Sequence, residues 1–138
     1  MINQITKNIA IGEYQDAMNE EALKHYQIDC ILNVNEIELK NNLDYEKLDI
    51  YYWWHPIPRD RKTQTMETFK KDILTASYEV KYLTERYMRI LVHCLSGIDR
   101  APLVVARYLE IVAGITIPQA YSLIKQQRKH IMEHYEWI

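Results

Sequence analysis

The sequence predicts a single α/β domain, residues 1–138, with a central, twisted, mainly parallel sheet of about four to five strands flanked by helices. Short segments rich in β-branched and apolar residues alternate along the chain with amphipathic segments of helical period. The 138 residues, 48% of them hydrophobic, suffice for one sizeable core but not for two ordinary domains. No repeat, low-complexity tract or Gly/Ser-rich linker divides the chain.

The predicted strands are short runs dominated by apolar, β-branched and aromatic residues. The third of them is followed by Pro56 and Pro58, which stop a strand because proline cannot donate to the sheet ladder. The sequence places these strands at residues 9–11, 28–34, 48–54 and 89–93.

The predicted helices carry apolar residues at helical spacing on one face. We expect them at residues 15–26, 65–87, 101–113 and 116–128. Gly114 follows the third helix in the position of a C-terminal cap. Thr116, Pro118 and Gln119 open the fourth helix as N-cap, early proline and capping-box glutamine. The tail over 131–138 is expected to add a last helical turn.

Composition excludes several classes of protein. The three glycines, Gly12, Gly97 and Gly114, cannot form the GxGxxG or GxxxxGK loops of nucleotide-binding proteins. The longest apolar runs are far below the roughly 18 residues of a membrane span, and no secretory leader opens the sequence. We therefore expect a cytoplasmic protein with no membrane partner. The two cysteines, Cys30 and Cys94, are too few for a disulfide framework.

Charge is distributed unevenly along the chain. Residues 13–49 carry ten acidic side chains and three lysines, a net charge of −7, whereas residues 50–138 carry thirteen basic and nine acidic side chains, a net charge of +4. This balance fits an anion site in the second part, although a solvated mixed surface explains it nearly as well. No basic run or basic-aromatic stripe points to nucleic acid.

The chemistry concentrates in the segment from Cys94 to Arg100, which joins a predicted strand to a predicted helix. In a doubly covered sheet, ligands collect at this edge, where helix N-termini present free N–H groups. Gly97 allows the loop to fold its amides into an anion nest, and the Arg100 guanidinium suits two phosphate oxygens. Such surroundings favour a cysteine thiolate, so Cys94 is the candidate nucleophile. The predicted phosphate-binding residues are Leu95, Ser96, Gly97, Ile98, Asp99 and Arg100.

The pattern His93-Cys94-x-x-Gly97-x-x-Arg100 resembles the signature of the cysteine-dependent protein tyrosine phosphatases, specifically their small dual-specificity branch. The similarity extends over nearly the whole chain. Residues 5–12 resemble that family's opening strand, residues 28–34 a later strand, and residues 57–60 its general-acid loop. The separation of 34 positions from Asp60 to Cys94 also matches the spacing of that branch.

The resemblance implies a double displacement that uses no metal and no cofactor. Cys94 would attack phosphorus while Arg100 and the loop amides hold the phosphate oxygens. Asp60 would protonate the leaving oxygen and then deprotonate the attacking water. His93 would lie behind the loop, bond to its backbone and help to keep Cys94 ionised. Asn33 is a supporting candidate that could brace this end of the sheet, although a polar residue that merely ends a strand is the simpler interpretation.

Two residues depart from the family pattern. Ala101 stands where the family usually has a serine or threonine that stabilises the cysteine thiolate as a leaving group, which predicts slow dephosphorylation. Asp99 places a carboxylate inside the phosphate-binding loop, as in some phosphoinositide phosphatases, and competes with Asp60 for the general-acid role. Asp60 is preferred because Pro56 and Pro58 stiffen a loop that could close over the site.

The predicted function is therefore hydrolysis of phosphomonoesters on phosphorylated proteins, with phosphotyrosine and also phosphoserine or phosphothreonine as substrates. A monomer without a nucleic-acid partner is expected. The alternatives are a catalytically weak phosphate-binding module and a phosphoinositide or RNA 5′-phosphatase of the same fold. The pattern His130-x-x-Glu133-His134 resembles a zinc-hydrolase motif, but too few residues follow it to supply a third ligand, so no metal site is expected.

Overall fold

A computed structural model describes residues 1–58 and 65–137 of the chain. Its strands are β1 (Asn3–Gln4), β2 (Ile9–Gly12), β3 (Cys30–Asn33), β4 (Tyr51–Trp54) and β5 (Ile90–His93). Its α-helices are α1 (Glu20–His25), α2 (Met66–Thr84), α3 (Arg100–Ala113) and α4 (Ile117–Gln127), and a short 3₁₀ helix covers Asp16–Met18. No helix in the described part of the chain is long and apolar enough to cross a membrane.

The described strands form one five-stranded sheet in the order β1-β2-β5-β3-β4. The pairs β2–β5, β5–β3 and β3–β4 are parallel, and only the short edge strand β1 runs antiparallel to its neighbour. The register places Gly12 and Asn33 on either side of His93. Because parallel strands share one carboxyl edge, the chain leaves β2, β3 and β5 at the same place.

Both faces of the sheet are covered, which explains why its central strands are continuous apolar runs. Side chains such as Ile11, Leu32 and Val92 pack on one face against α2, α3 and α4. On the other face, Ile31 and Leu91 pack with Leu23 of α1. The predicted fold class, an α/β domain with a mainly parallel sheet, is confirmed.

Several predicted elements differ in extent from the structure. The helix predicted over 15–26 is interrupted at Asn19, whose side chain caps α1 by accepting a hydrogen bond from the Ala22 amide. The tail over 131–137 forms no helix, because its backbone bonds to other parts of the molecule instead. Strand β1 has only two residues and gives no periodic signal that the sequence could have shown.

The predicted ends of α3 and α4 are confirmed in detail. Gly114 ends α3 in the left-handed conformation, with φ of 66°. Thr116 and Gln119 form both hydrogen bonds of the capping box at the start of α4. These local signals fix where α3 stops and α4 turns back across it.

Candidate active site

The loop between β5 and α3 requires glycine at position 97. Gly97 has a φ of +71°, which L-residues with a side chain rarely adopt. A Cβ atom built there would lie 2.6 Å from the Gly12 carbonyl oxygen and 2.5 Å from Nη2 of Arg128. The backbone of β2 and a guanidinium therefore leave no room behind the loop for a side chain.

The carbonyl groups of the loop are bonded to the surrounding scaffold. The Tyr14 amide donates to the Leu95 carbonyl at 3.2 Å. The Arg128 guanidinium donates to the carbonyls of Ser96 at 3.2 Å and Gly97 at 2.9 Å. The Met132 amide donates to the Ile98 carbonyl at 3.0 Å. Each carbonyl from residue 95 to residue 98 is thus held by a residue outside the loop.

The amide groups of the same loop are unbonded within the described residues. Over 1–58 and 65–137, no protein acceptor takes a hydrogen bond from the N–H groups of Leu95, Ser96, Gly97 or Ile98. Because no described acceptor takes them, these N–H groups are available to donate to an anion, as in a backbone nest. A phosphate group offers the acceptor oxygens that such donors bind.

Cys94 lies at the base of this loop, directly after β5 and buried to 1% exposure. His93 precedes it, and His93 Nδ1 is hydrogen bonded to the Cys94 carbonyl oxygen at 3.1 Å. Burial lowers the pKa of His93 to about 4. The imidazole is therefore neutral near pH 7, so His93 orders the backbone at Cys94 and supplies no positive charge to the thiol.

Arg100 links the loop to the segment that carries the predicted acid. It is buried as the first residue of α3, and its Nη1 donates a hydrogen bond of 2.9 Å to the Ile57 carbonyl. Ile57 itself is fully buried. Asp60, the predicted general acid, lies outside the described residues. The Arg100–Ile57 bond nevertheless brings the chain three residues before Asp60 to the edge of the loop between β5 and α3.

Asn33 is buried at the carboxyl end of β3, opposite His93 in the sheet register. Its Oδ1 accepts a hydrogen bond from the Asn35 amide at 2.8 Å, and its Nδ2 donates to the Tyr52 hydroxyl at 3.1 Å. These bonds fix the turn that leaves β3. The residues around it also line a cleft of about 300 Å³, whose walls include Tyr14, Asn33 and His93.

Asp99 and Ala101 flank Arg100 and have different surroundings. Ala101 is completely buried in the first turn of α3. Asp99 occupies the N-cap position of α3, yet its side chain makes no capping bond to the helix. Its Oδ1 instead lies 2.7 Å from Nε2 of His134.

No sequence motif indicated that residues 128–134 contact the loop between β5 and α3. Arg128, Met132 and His134 contact loop residues that are more than 30 positions away in sequence, and no local pattern signals such contacts. Two residues of the zinc-like pattern have other partners. Glu133 is paired with Lys125 and His134 with Asp99, and no group of three metal ligands occurs in the part of the chain that the structure describes.

Comparison with known proteins assigns the family. Residues 9–138 match the family model of the dual specificity phosphatase catalytic domain. The chain belongs to this family. Human dual specificity protein phosphatase 9 is 25% identical over 143 residues, covering 98% of this chain and 34% of that protein. Dual specificity protein phosphatase Mpk3 of Drosophila melanogaster is 27% identical over 128 residues, covering 93% of this chain and 30% of that protein. The chain thus spans about a third of the length of these relatives.

Several solved structures share the fold. The Yvh1 phosphatase domain from Chaetomium thermophilum superposes with a TM-score of 0.79 at 14% identity, covering 99% of this chain and 90% of that one. Human DUSP28 gives a TM-score of 0.74 at 16% identity, covering 98% of this chain and 89% of that one. The resemblance seen in the sequence is confirmed at the level of family and fold.

Proposed function

We propose that this dual specificity phosphatase domain hydrolyses phosphomonoesters on phosphorylated proteins, with Cys94 as nucleophile. The observation that carries the proposal is the loop whose carbonyls are bonded to the scaffold and whose amides at residues 95–98 have no acceptor among residues 1–58 and 65–137. Cys94 lies at the base of that loop and Arg100 at its end. Family membership supports phosphotyrosine, phosphoserine and phosphothreonine as the substrate groups.

In the first step, the Cys94 thiolate attacks phosphorus and the bond to the leaving oxygen breaks. The loop amides and the Arg100 guanidinium hold the remaining phosphate oxygens, where charge spreads in the transition state. Asp60 donates its proton to the leaving oxygen. In the second step, Asp60 accepts a proton from water as that water attacks the phosphocysteine, which releases inorganic phosphate and restores the thiolate.

Asp60 is preferred over Asp99 as the general acid. Oδ1 of Asp99 lies 2.7 Å from Nε2 of His134, so this carboxyl group is already engaged in a hydrogen bond with that imidazole. Arg100 contacts the chain at Ile57, three residues before Asp60. We expect Asp60→Asn to lower kcat by roughly 100-fold and to remove the basic limb of the pH–rate profile. An unchanged rate and profile would transfer the role to Asp99.

The test of the activity is phosphate release from a panel of substrates. The panel comprises an aryl phosphate, phosphotyrosine and phosphothreonine peptides, a phosphoinositide and 5′-triphosphate RNA. We expect turnover of the aryl phosphate and the phosphopeptides, and none by Cys94→Ser, which should still bind inorganic phosphate. Phosphate binding without turnover by the unmodified protein would indicate a phosphate-binding module instead. Preferred turnover of the lipid or the RNA would reassign the substrate class.

A further inference from the structure

The Asp99–His134 pair has no part in the chemistry proposed above, yet it lies at the phosphate-binding loop. Asp99 is the residue before Arg100, so its carboxylate is an anion built into a loop proposed to bind anions. Aspartate at an N-cap usually accepts a hydrogen bond from its helix, and that bond is absent here. The carboxylate is turned instead towards His134, with 2.7 Å between Oδ1 and Nε2.

His134 is itself fixed by its surroundings. Its ring stacks on the indole of Trp137, with the ring centroids 3.5 Å apart and an angle of 3° between the planes. Trp137 packs edge-on against Phe69 of α2, and the His134 amide donates to the Tyr121 hydroxyl of α4 at 3.2 Å. The side chains of Asp99 and His134 are only 13% and 11% exposed. The imidazole therefore meets the carboxylate from a rigid and largely buried position.

We propose that His134 is a positioning residue of the phosphate-binding loop, which holds the Asp99 carboxylate away from the bound phosphate. The inference rests on the proposed function, because it assumes that the loop binds the phosphate group. A carboxylate that rotated towards the loop would repel a phosphate dianion and compete with it for Arg100. The hydrogen bond to His134 restrains that rotation.

The charges around the imidazole favour this role. Besides Asp99 at Nε2, the Glu136 carboxylate lies 3.7 Å from Nδ1. Of the two ring nitrogens, Nε2 lies at hydrogen-bond distance from its carboxylate, whereas the exposed Glu136 carboxylate lies beyond that distance from Nδ1. Phosphate affinity should accordingly depend on His134 only while Asp99 carries a carboxylate.

A double-mutant cycle tests the inference, with inorganic phosphate as the probe. Its dissociation constant is measured by calorimetry for the unmodified protein, for His134→Ala, for Asp99→Asn and for the double variant. We expect His134→Ala to weaken phosphate binding roughly tenfold and to raise KM for an aryl phosphate more than it lowers kcat. In the Asp99→Asn background the same substitution should change phosphate affinity by less than about twofold.

Two further variants separate positioning from folding. His134→Gln places an amide donor near the position of Nε2. It should restore most of the phosphate affinity that His134→Ala loses, even where its melting temperature stays below that of the unmodified protein. His130→Ala removes an exposed histidine four residues earlier and should change neither measurement. An equal loss of affinity from His134→Ala in both Asp99 backgrounds would overturn the inference. A loss of phosphate affinity that parallels the fall in melting temperature across all the variants would also overturn it. The double-mutant cycle measures phosphate binding and not turnover. A protein that binds phosphate without hydrolysing substrates would therefore contradict the proposed function, while the cycle would still test the role of His134.

Discussion

Gly97 shows how a single residue decides whether the loop can form. Its positive φ is disfavoured for a residue with a side chain, and the space where a Cβ would lie is occupied by Gly12 and Arg128. Gly114 has nearly the same φ, but nothing lies within 4 Å of the corresponding Cβ position. Substitutions at these two glycines therefore distinguish two costs of adding a side chain. At Gly114 the cost is conformational, and at Gly97 a steric clash is added.

We expect Gly114→Ala to lower the free energy of unfolding by about 1 kcal/mol, the cost of a left-handed residue. Gly97→Ala should cost clearly more than that and should also abolish measurable phosphate binding, because the backbone of the loop must move. Chemical denaturation and calorimetric titration with phosphate measure the two effects. Equal destabilisation by both substitutions, with phosphate binding retained, would show that the loop tolerates the side chain.

Ala101 is expected to limit the second chemical step. A hydroxyl after the arginine would donate a hydrogen bond to the departing thiolate, and alanine has none. We expect rapid-quench kinetics to show a burst of product followed by slow turnover, and Ala101→Ser to raise the slow rate roughly tenfold. Ala106→Ser, at another completely buried position of α3, is the matched control and should give no gain. Absence of both the burst and the gain would contradict this prediction.

At the scale of elements, an ion pair connects the end of β4 to α2. His55 follows β4, and its Nδ1 lies 3.0 Å from Oε1 of Glu79 on α2. The hydrogen bond to Glu79 raises the pKa of His55 above its ordinary value, against the opposing effect of burial, and Asp72 adds to the rise. His55 directly precedes Pro56 and lies five positions before the predicted acid Asp60 in the sequence.

This pair predicts a pH dependence of stability with a definite sign. Because the folded-state pKa of His55 is raised, its contribution is fully present below the unfolded pKa of about 6.5 and is lost as the pH rises through the folded value. Glu79→Gln should thus cost about 1 kcal/mol at pH 5.5 and less at pH 8.5. Glu85→Gln removes an exposed carboxylate paired with Lys81, so its effect should not vary over this range. Urea unfolding at several pH values measures both, and a cost of Glu79→Gln that grows with pH would refute the assignment.

At the scale of the whole molecule, Arg128 joins parts of the chain that are distant in sequence. Besides its bonds to Ser96 and Gly97, its Nη1 donates at 2.7 Å both to the Met1 carbonyl and to Oδ1 of Asn3. Burial lowers the pKa of the guanidinium from its ordinary value, but a guanidinium stays charged at any physiological pH. Arg128 thereby links the end of α4 both to the N-terminal residues, including edge strand β1, and to the loop between β5 and α3.

We expect Arg128→Met to lower the free energy of unfolding by roughly 2 kcal/mol or more, because several carbonyls lose a charged donor. Arg128→Lys should recover only part of this loss, since an ammonium lacks the planar fork that bonds several acceptors. Lys129→Met makes the same charge change at the next, exposed residue and should stay within about 0.5 kcal/mol of the unmodified protein. Denaturation midpoints and phosphate titration provide the measurements, and equal effects at positions 128 and 129 would exclude this fastening role.

The predictions from sequence were most accurate where the information is local. The left-handed Gly114 and the capping box of Thr116 and Gln119 are formed by residues within a few positions of each other, so the sequence reveals them directly. The helix predicted over 15–26 was wrong in extent, because Asn19 favours a cap over continuation and the apolar spacing hid that break. The helical turn predicted at the C-terminal tail was wrong for a different reason, since the Met132 amide donates to the Ile98 carbonyl in the loop between β5 and α3.

The sequence by itself determined the alternation of strands and helices, and with it the fold class. It also identified the segment from His93 to Arg100 as a candidate phosphate-binding loop. Only the tertiary structure decided the strand order β1-β2-β5-β3-β4, the anchoring of the loop carbonyls, and the pairing of Asp99 with His134. Local periodicity depends on neighbouring residues, whereas these contacts join residues 31 and 35 positions apart and exist only once the sheet and helices have packed.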